Sequence, residues 1–251
     1  MTELIDIEEN FPHLSNAPIV EAILAINVSP SGQWNETAIQ DALKERLPDF
    51  PKIEPLRSAS HKFIVGKPDH HETKDLGCIG FKLHSNDNPH IVQFNKEAFV
   101  FSRLEPYSNW EQFRREALRL WEIYCELLKP HNVGRVGLRF VNRIKTKNEI
   151  VKLEDYYKYP PQSIKELNWP LTGYLHHDVI QVPERAYSVN LIKTAQSAPK
   201  ETGLILDIDV FMHNPFEYNK DRLVVCLEEM RWVKNKIFFG SLTDRIIEEL
   251  K

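Results

Sequence analysis

The sequence predicts an α+β fold made of two tandem strand–helix–strands–long helix segments, which form an antiparallel sheet with helices on one face. Two observations favour this fold. Many short segments alternate apolar and polar residues with strand period, and each half of the chain closes on a segment with apolar residues at helical spacing. The 251 residues are enough for a sizeable core.

The first half begins with residues 18–28, PIVEAILAINV, whose apolar, β-branched composition is typical of a strand. Asn35 is expected to cap a helix, and a long helix capped by Ser108 or Asn109 is expected to end before Pro130. Strand patterns between the two helices lie at 61–65, 78–83, 90–94 and 98–103.

The second half starts with a predicted strand at 135–144, followed by a broken helical region at 153–167 that contains Pro160 and Pro161. A long helical pattern closes the chain, with Gly240 as a candidate kink. Strands are expected at 179–182, 187–192 and 204–212.

This order predicts an N-terminal α+β repeat over 1–130 and a C-terminal one over 131–251, packed as one unit. A strand–helix–strands–helix unit in tandem is similar in order to the TATA-binding-protein-like architecture. That is an analogy of fold, and it transfers no function. The alternative is one α+β domain without a true repeat.

Composition narrows the class of protein. With 42% hydrophobic residues, 27% charged residues and a net charge of -4, the chain does not resemble a protein dominated by nonspecific nucleic-acid affinity. The three cysteines form no Cys-x-x-Cys pair, the acidic N-terminus has no apolar signal region, and no apolar run has the length of a membrane span. A reduced, cytoplasmic protein away from the membrane is expected.

The segment HNVGRVGLRFVNRIKTK carries Arg135, Arg139 and Arg143 at a spacing of four residues. Its glycines and β-branched residues favour a strand, whose period of two places the three arginines on one face. Val136, Leu138, Phe140 and Ile144 then lie on the apolar face, where Asn142 is the polar exception.

Two other predicted strands carry charged residues on the face opposite their apolar residues. These are Glu21 in the first strand and Asp207 and Asp209 in the strand at 204–212. Three interpretations stay open. The carboxylates pair with the arginines as a structural network, the strand receives an anionic ligand, or the two aspartates hold a divalent metal ion. The candidate ligand-binding residues are Arg135, Arg139, Arg143, Glu21 and Asn142.

Weaker candidates have structural explanations. The runs His70–Glu72 and His176–Asp178 resemble metal-binding doublets. Neighbouring residues of a strand point to opposite faces, however, so neither doublet chelates a metal alone. We expect these histidines to be solvated loop residues. Cys125 lies in a helical pattern and is expected to pack there. Phe99 and Phe101 share a strand face with Arg103 and could stack on bases, although packing under the next helix is favoured.

Four stretches, PIVEAI, HIVQFNKEAFVFSRLEPYSNWEQF, GLRFVNRI and FFGSLTD, resemble a sporadically distributed family of conserved hypothetical bacterial proteins of similar length. The resemblance covers nearly the whole chain. It implies a prokaryotic source and a mobile gene neighbourhood, such as a defence or toxin–antitoxin locus, and it supplies no catalytic residues.

No Gly-rich phosphate loop, nucleophile elbow or His-Glu-x-x-His motif is present, so no cofactor is expected and the sequence favours a function other than catalysis. We expect a binding or regulatory protein that uses a charged sheet face to engage an anionic small ligand or a protein partner. One alternative is a metal-dependent phosphoesterase or nuclease-like enzyme with Asp207 and Asp209 as ligands. A second is a nucleic-acid-binding protein.

Overall fold

One antiparallel sheet of ten strands runs through the part of the chain that the computed structural model describes, residues 5–30, 34–63, 71–87, 89–146, 151–162, 173–197 and 202–251. The strands are β1 (Ile19–Pro30), β2 (Lys52–Phe63), β3 (His71–His84), β4 (His90–Asn95), β5 (Ala98–Leu104), β6 (Pro130–Lys145), β7 (Leu175–Gln181), β8 (Tyr187–Ser197), β9 (Thr202–Met212) and β10 (Phe216–Glu217). The helices are α1 (Glu36–Arg46), α2 (Trp110–Leu128), α3 (Lys220–Ser241) and α4 (Asp244–Leu250), with a 3-10 turn at Leu153–Asp155. The α+β fold is therefore confirmed.

The strand order is β2-β3-β4-β5-β1-β6-β9-β8-β7, and the short β10 pairs with β6. The middle of the sheet is the antiparallel pair β1–β6, in which Leu24 lies opposite Leu138 and Ile23 opposite Arg139. Because both strands keep this register over most of their length, their side chains form two continuous faces.

One face of the sheet forms the core. Leu24, Leu138 and Val210 lie side by side on β1, β6 and β9 and have no exposed surface. Helix α2 contacts β5 and β1 on this face, and α3 contacts β9 and β6. We call the other face, which carries Ile23, Arg139 and Asp209, the open face. No helix of the described residues packs on it.

Aromatic packing connects α2 to the sheet. The Phe99 ring on β5 lies 5.5 Å from Trp121 and 5.7 Å from Tyr124 of α2 in edge-on arrangements, and all three side chains are fully buried. Phe101 lies 5.4 Å from Phe113 of the same helix. These two phenylalanines therefore pack under α2 and do not offer a surface for stacking bases.

Side-chain caps fix where the helices begin. The Asn35 side chain accepts a hydrogen bond from the backbone N–H of Ala38, as the sequence predicts. At α2 the cap is Asn109, which accepts from the N–H of Gln112 at 2.8 Å. None of the helices in the described ranges is long and apolar enough to cross a membrane.

Two helix predictions are wrong. Of the region 153–167, residues 163–167 lie outside the described part of the chain. Residues 153–162 form only the 3-10 turn Leu153–Asp155 and then an extended bridge from Tyr157 to Leu242. The closing helix does not kink at Gly240 but ends at Ser241, and Thr243 caps a separate α4. The bridge to Tyr157 holds Leu242 in an extended conformation, which ends the helix there.

Strand β2 begins at Lys52, nine residues before the prediction of a strand at 61–65, of which 64–65 lie outside the described residues. Strand β3 starts at His71, so the part of the first histidine run that is described belongs to a strand and not to the expected loop. Strand β2 is at the edge of the sheet, where Pro55 is tolerated and the alternation of apolar residues is weak.

Replacing Phe99 with alanine is expected to lower the free energy of unfolding by about 3–5 kcal/mol, because it leaves a cavity under α2. Val100→Ala, next along the strand but on the open face, is expected to cost less than about 1.5 kcal/mol. Urea unfolding followed by circular dichroism measures both. Equal losses would contradict the assignment of the two sheet faces.

Candidate functional site

The three arginines of β6 lie on the open face, as predicted, and Asp207 and Asp209 of the neighbouring β9 lie on the same face. Glu21 of β1 completes this group from the other side of β6. The sequence therefore placed these six residues correctly, and the remaining question is which of them contact one another.

Arg139 binds Asp207 through two parallel hydrogen bonds. Its Nε donates to Oδ1 at 2.8 Å and its Nη2 donates to Oδ2 at 2.5 Å. The carboxylate is 8% exposed, while the arginine side chain is 45% exposed. The hydrogen bond to Asp207, together with the nearby charges of Asp209 and Glu21, raises the pKa of Arg139 above its ordinary value. The pair uses two of the five guanidinium N–H groups and leaves part of the cation accessible to a partner.

Arg135 reaches Asp209 along the strand. Its Nη2 lies 3.2 Å from the carboxylate, and its guanidinium lies 5.1 Å from the centre of the Phe211 ring. The side chain passes over Gly137, where an added Cβ would come within 2.3 Å of the Arg135 guanidinium. Glycine at this position thus lets the arginine lie flat on the sheet.

Arg143 pairs with a residue that the sequence did not identify. Its Nη2 donates to both carboxylate oxygens of Glu105, at 3.1 and 3.2 Å, just after β5. The Glu21 side chain, in contrast, makes no hydrogen bond or ion pair with any residue that the structure describes. The open face therefore carries three paired arginines and one carboxylate without a partner of opposite charge in direct contact.

Asn142 does not belong to this group, since its side chain is 1% exposed on the helix-covered face. Its Nδ2 donates to the backbone carbonyls of Phe140 and Leu206 at 3.3 and 2.9 Å. Asn142 bonds across to β9 in the core and lies away from the arginine row.

The residues that could hold a metal ion do not converge. Asp207 and Asp209 are each occupied by an arginine, and no group of three or more His, Cys, Asp or Glu side chains suits a metal within the described ranges. In β7, His176 bonds Asp178 at 3.0 Å, and His177 approaches Asn190 on the other face. The geometry does not favour the metal-dependent alternative.

The three cysteines are free thiols. Burial raises the pKa of the Cys125 thiol to about 12, so this group stays protonated at neutral pH and is a poor nucleophile. The expectation that Cys125 packs in α2 agrees with this environment. No thiol chemistry is indicated at the site.

A residue that sequence reasoning missed lies on the other side of the sheet. Lys234 of α3 lines a cleft of about 510 Å³ and has no carboxylate within 4.0 Å among the described residues. Burial, followed by the charge of Arg231, lowers the pKa of Lys234 to about 7. In the sequence Lys234 is one of many charged residues on a helix, and only the packing of α3 reveals its environment.

No protein-family model, curated protein or solved structure matches this chain.

Arg139→Met is expected to lower the free energy of unfolding by about 1–3 kcal/mol, because it leaves the nearly buried Asp207 carboxylate without its donor. Arg139→Met combined with Asp207→Leu is expected to recover at least half of the loss. Arg143→Met is the control, because Glu105 is 57% exposed and water can hydrate it; we expect a loss below about 1 kcal/mol. Urea unfolding of the four proteins measures this, and a neutral Arg139→Met would contradict a structural ion pair.

Lys234→Met is expected to stabilise the protein at low pH. The lowered pKa of Lys234 means that folding disfavours its charged form. The loss of folding stability that Lys234 causes grows as the pH falls from lysine's ordinary pKa towards 7, and it reaches its full size below pH 7. Since the side chain is partly hydrated, we expect a gain of about 1–3 kcal/mol at pH 6 that shrinks towards pH 10.

Thermal unfolding between pH 6 and 10 measures this gain. Lys236→Met is the matched control, because Lys236 lies 3.1 Å from Glu9 and its charge is compensated. The control is expected to show no stabilisation at pH 6. A loss of stability in Lys234→Met that does not depend on pH would contradict the prediction.

Proposed function

We propose that this chain is a non-catalytic binding protein whose open face engages a protein partner around Arg139. The observation that carries the proposal is the 45% exposed guanidinium of Arg139, held in a fixed direction by Asp207 on a wide sheet face without a covering helix among the described residues. Arginine held this way is a common anchor in protein interfaces.

The surroundings of Arg139 also suit a protein partner. Ile23 lies beside it on β1, and Val100 and Ile91 lie further along the same face on β5 and β4. These side chains are partly exposed. Aliphatic surface with a few charges resembles the mixed character of a protein interface.

The charge balance favours a protein partner over a small anion. Arg135 and Arg139 are each neutralised by an aspartate, and Glu21 adds a further negative charge beside them. A phosphate or free carboxylate would meet this net negative charge. A protein can match both signs, with a carboxylate on Arg139 and a basic group on Glu21.

The strand order further supports the inference that the two halves are a structural repeat. In each half the first strand pairs with the last long one, β1 with β5 and β6 with β9. The two first strands then pair with each other, which relates the halves by an approximate twofold arrangement. A tandem repeat is what the analogy with the TATA-binding-protein-like architecture implies, and this inference concerns architecture alone.

A photo-crosslinking residue at position 23, beside Arg139, tests the proposed surface in cells that naturally make the protein. We expect one defined protein adduct, reduced at least about tenfold by Arg139→Glu. The control is the same crosslinker at Val225, which is 52% exposed on α3. A basic-to-acidic exchange on the captured partner should weaken binding to the wild type and restore binding to Glu21→Lys.

Equal adducts from positions 23 and 225, or an adduct unaffected by Arg139→Glu, would contradict the proposed surface. An adduct that nuclease treatment removes would support the nucleic-acid alternative, and its formation would fall steeply with salt. Inorganic phosphate that protects the protein against heat only when Arg139 is present would favour a small anionic ligand.

A further inference from the structure

The cleft that contains Lys234 lies on the helix-covered side of the sheet, opposite the open face. Its walls come from residues 7–14, from residues 107–111 at the start of α2 and from α3, and Asn142 of β6 contributes from the sheet. The N-terminal segment is held in place by Phe11, whose ring stacks on Phe239 at 5.5 Å. The cleft volume of about 510 Å³ is in the range of small-molecule sites.

The ammonium group of Lys234 has only neutral contacts among the described residues. Its Nζ donates to Oδ1 of Asn235 at 2.5 Å and lies 4.4 Å from the centre of the Phe140 ring. The charge that affects its titration is the cation of Arg231. A lysine in such a position normally has a carboxylate beside it.

The acidic groups of the cleft are engaged elsewhere or exposed. Glu9 accepts from Nε1 of Trp232 at 2.7 Å and from Lys236 at 3.1 Å. Glu111 lies 3.9 Å from Arg231, and Glu8 is exposed to solvent. The remaining titratable groups in the lining are His13, which is exposed, and Tyr107. The positive charge of Lys234 is therefore left for a ligand to neutralise.

The other lining groups indicate what kind of anion fits. Tyr107 and Trp110 on one side and Phe238 and Phe239 on the other give the cleft aromatic walls. The Tyr107 hydroxyl makes no hydrogen bond with another described residue. We propose that this cleft binds a small organic carboxylate, with the carboxylate on Lys234 and its apolar body against the aromatic walls.

Binding of such a ligand is coupled to a proton. A carboxylate next to Lys234 favours the ammonium form, so it raises the pKa of Lys234 from about 7 and the protein takes up a proton above that pH. Affinity is expected to be highest between about pH 5 and about pH 6, where the lysine is charged and the ligand carboxylate is ionised, and to fall above about pH 7. Between pH 6 and pH 8 the charged fraction of the free lysine falls from about 0.9 to about 0.1, so the affinity falls about tenfold.

Calorimetry of the full chain with acetate, benzoate and phenylacetate tests the proposal, with benzamide and phenylacetamide as neutral controls. We expect at least one carboxylate to bind at pH 6 with a Kd at or below about 1 mM, and its amide to bind at least about tenfold more weakly. Lys234→Met is expected to lose about tenfold or more in affinity. Lys220→Met, at the start of the same helix and outside the cleft lining, is expected to bind like the wild type.

Four results would overturn the proposal. Two concern the wild type with organic probes: no carboxylate with a Kd below about 10 mM, or amides that bind as well as the acids. The other two are inorganic phosphate that binds as tightly as the best carboxylate, and an unchanged affinity in Lys234→Met. A wild-type measurement gives a decision even if the variant unfolds. Side-chain NMR of labelled lysines, with saturating benzoate or whichever probe binds best, should show a raised pKa at Lys234, and no change would also overturn the proposal.

The cleft and the open face are tested independently. Arg139→Glu should leave carboxylate binding unchanged, and Lys234→Met should leave the crosslink from position 23 unchanged. Failure of one proposal therefore does not count against the other.

Discussion

The antiparallel pairing of β1 with β6 is the constraint on which the rest of the molecule depends. It joins the strands of the first half to those of the second half in one sheet. Its register places Leu24 opposite Leu138 in the core and Ile23 opposite Arg139 on the open face. A shift by one residue would bury the arginines and expose the leucines, so the apolar pattern of both strands fixes the pairing. Helices α2 and α3 can cover the core only because this face is continuous.

The arginine row follows from the same register. Asp209 lies directly opposite Arg139, yet Arg139 bonds Asp207 and Arg135 bonds Asp209. Both arginines therefore lean towards the end of β6, and Gly137 provides the space for Arg135. In this arrangement the Arg139 side chain is the more exposed of the two. Its position is set by the carboxylate of Asp207, which is itself nearly buried.

The sequence predicted the parts of the fold in which local pattern and tertiary environment agree. Alternation in β1, β6 and β9 was sufficient to assign both sheet faces and to place Asp207 beside the arginines. It did not predict the start of β2, because an edge strand with Pro55 lacks a strong apolar pattern. It also did not identify Glu105, which reaches Arg143 only through the pairing of β5 with β1 and of β1 with β6. Lys234 was missed because the absence of a counter-charge is a property of packing and not of spacing.

The pairing of charges distinguishes the two candidate sites of this molecule. Arg139, Arg135 and Arg143 each have a carboxylate, so their burial is compatible with stability. Lys234 has none within the described residues and makes folding less favourable at neutral pH. A charge that is buried without a counter-charge costs stability, and a ligand that binds the folded state and neutralises the charge offsets that cost. The sheet therefore separates the two proposed sites, with a rigid, neutralised arginine row on one side and an incomplete ion pair on the other.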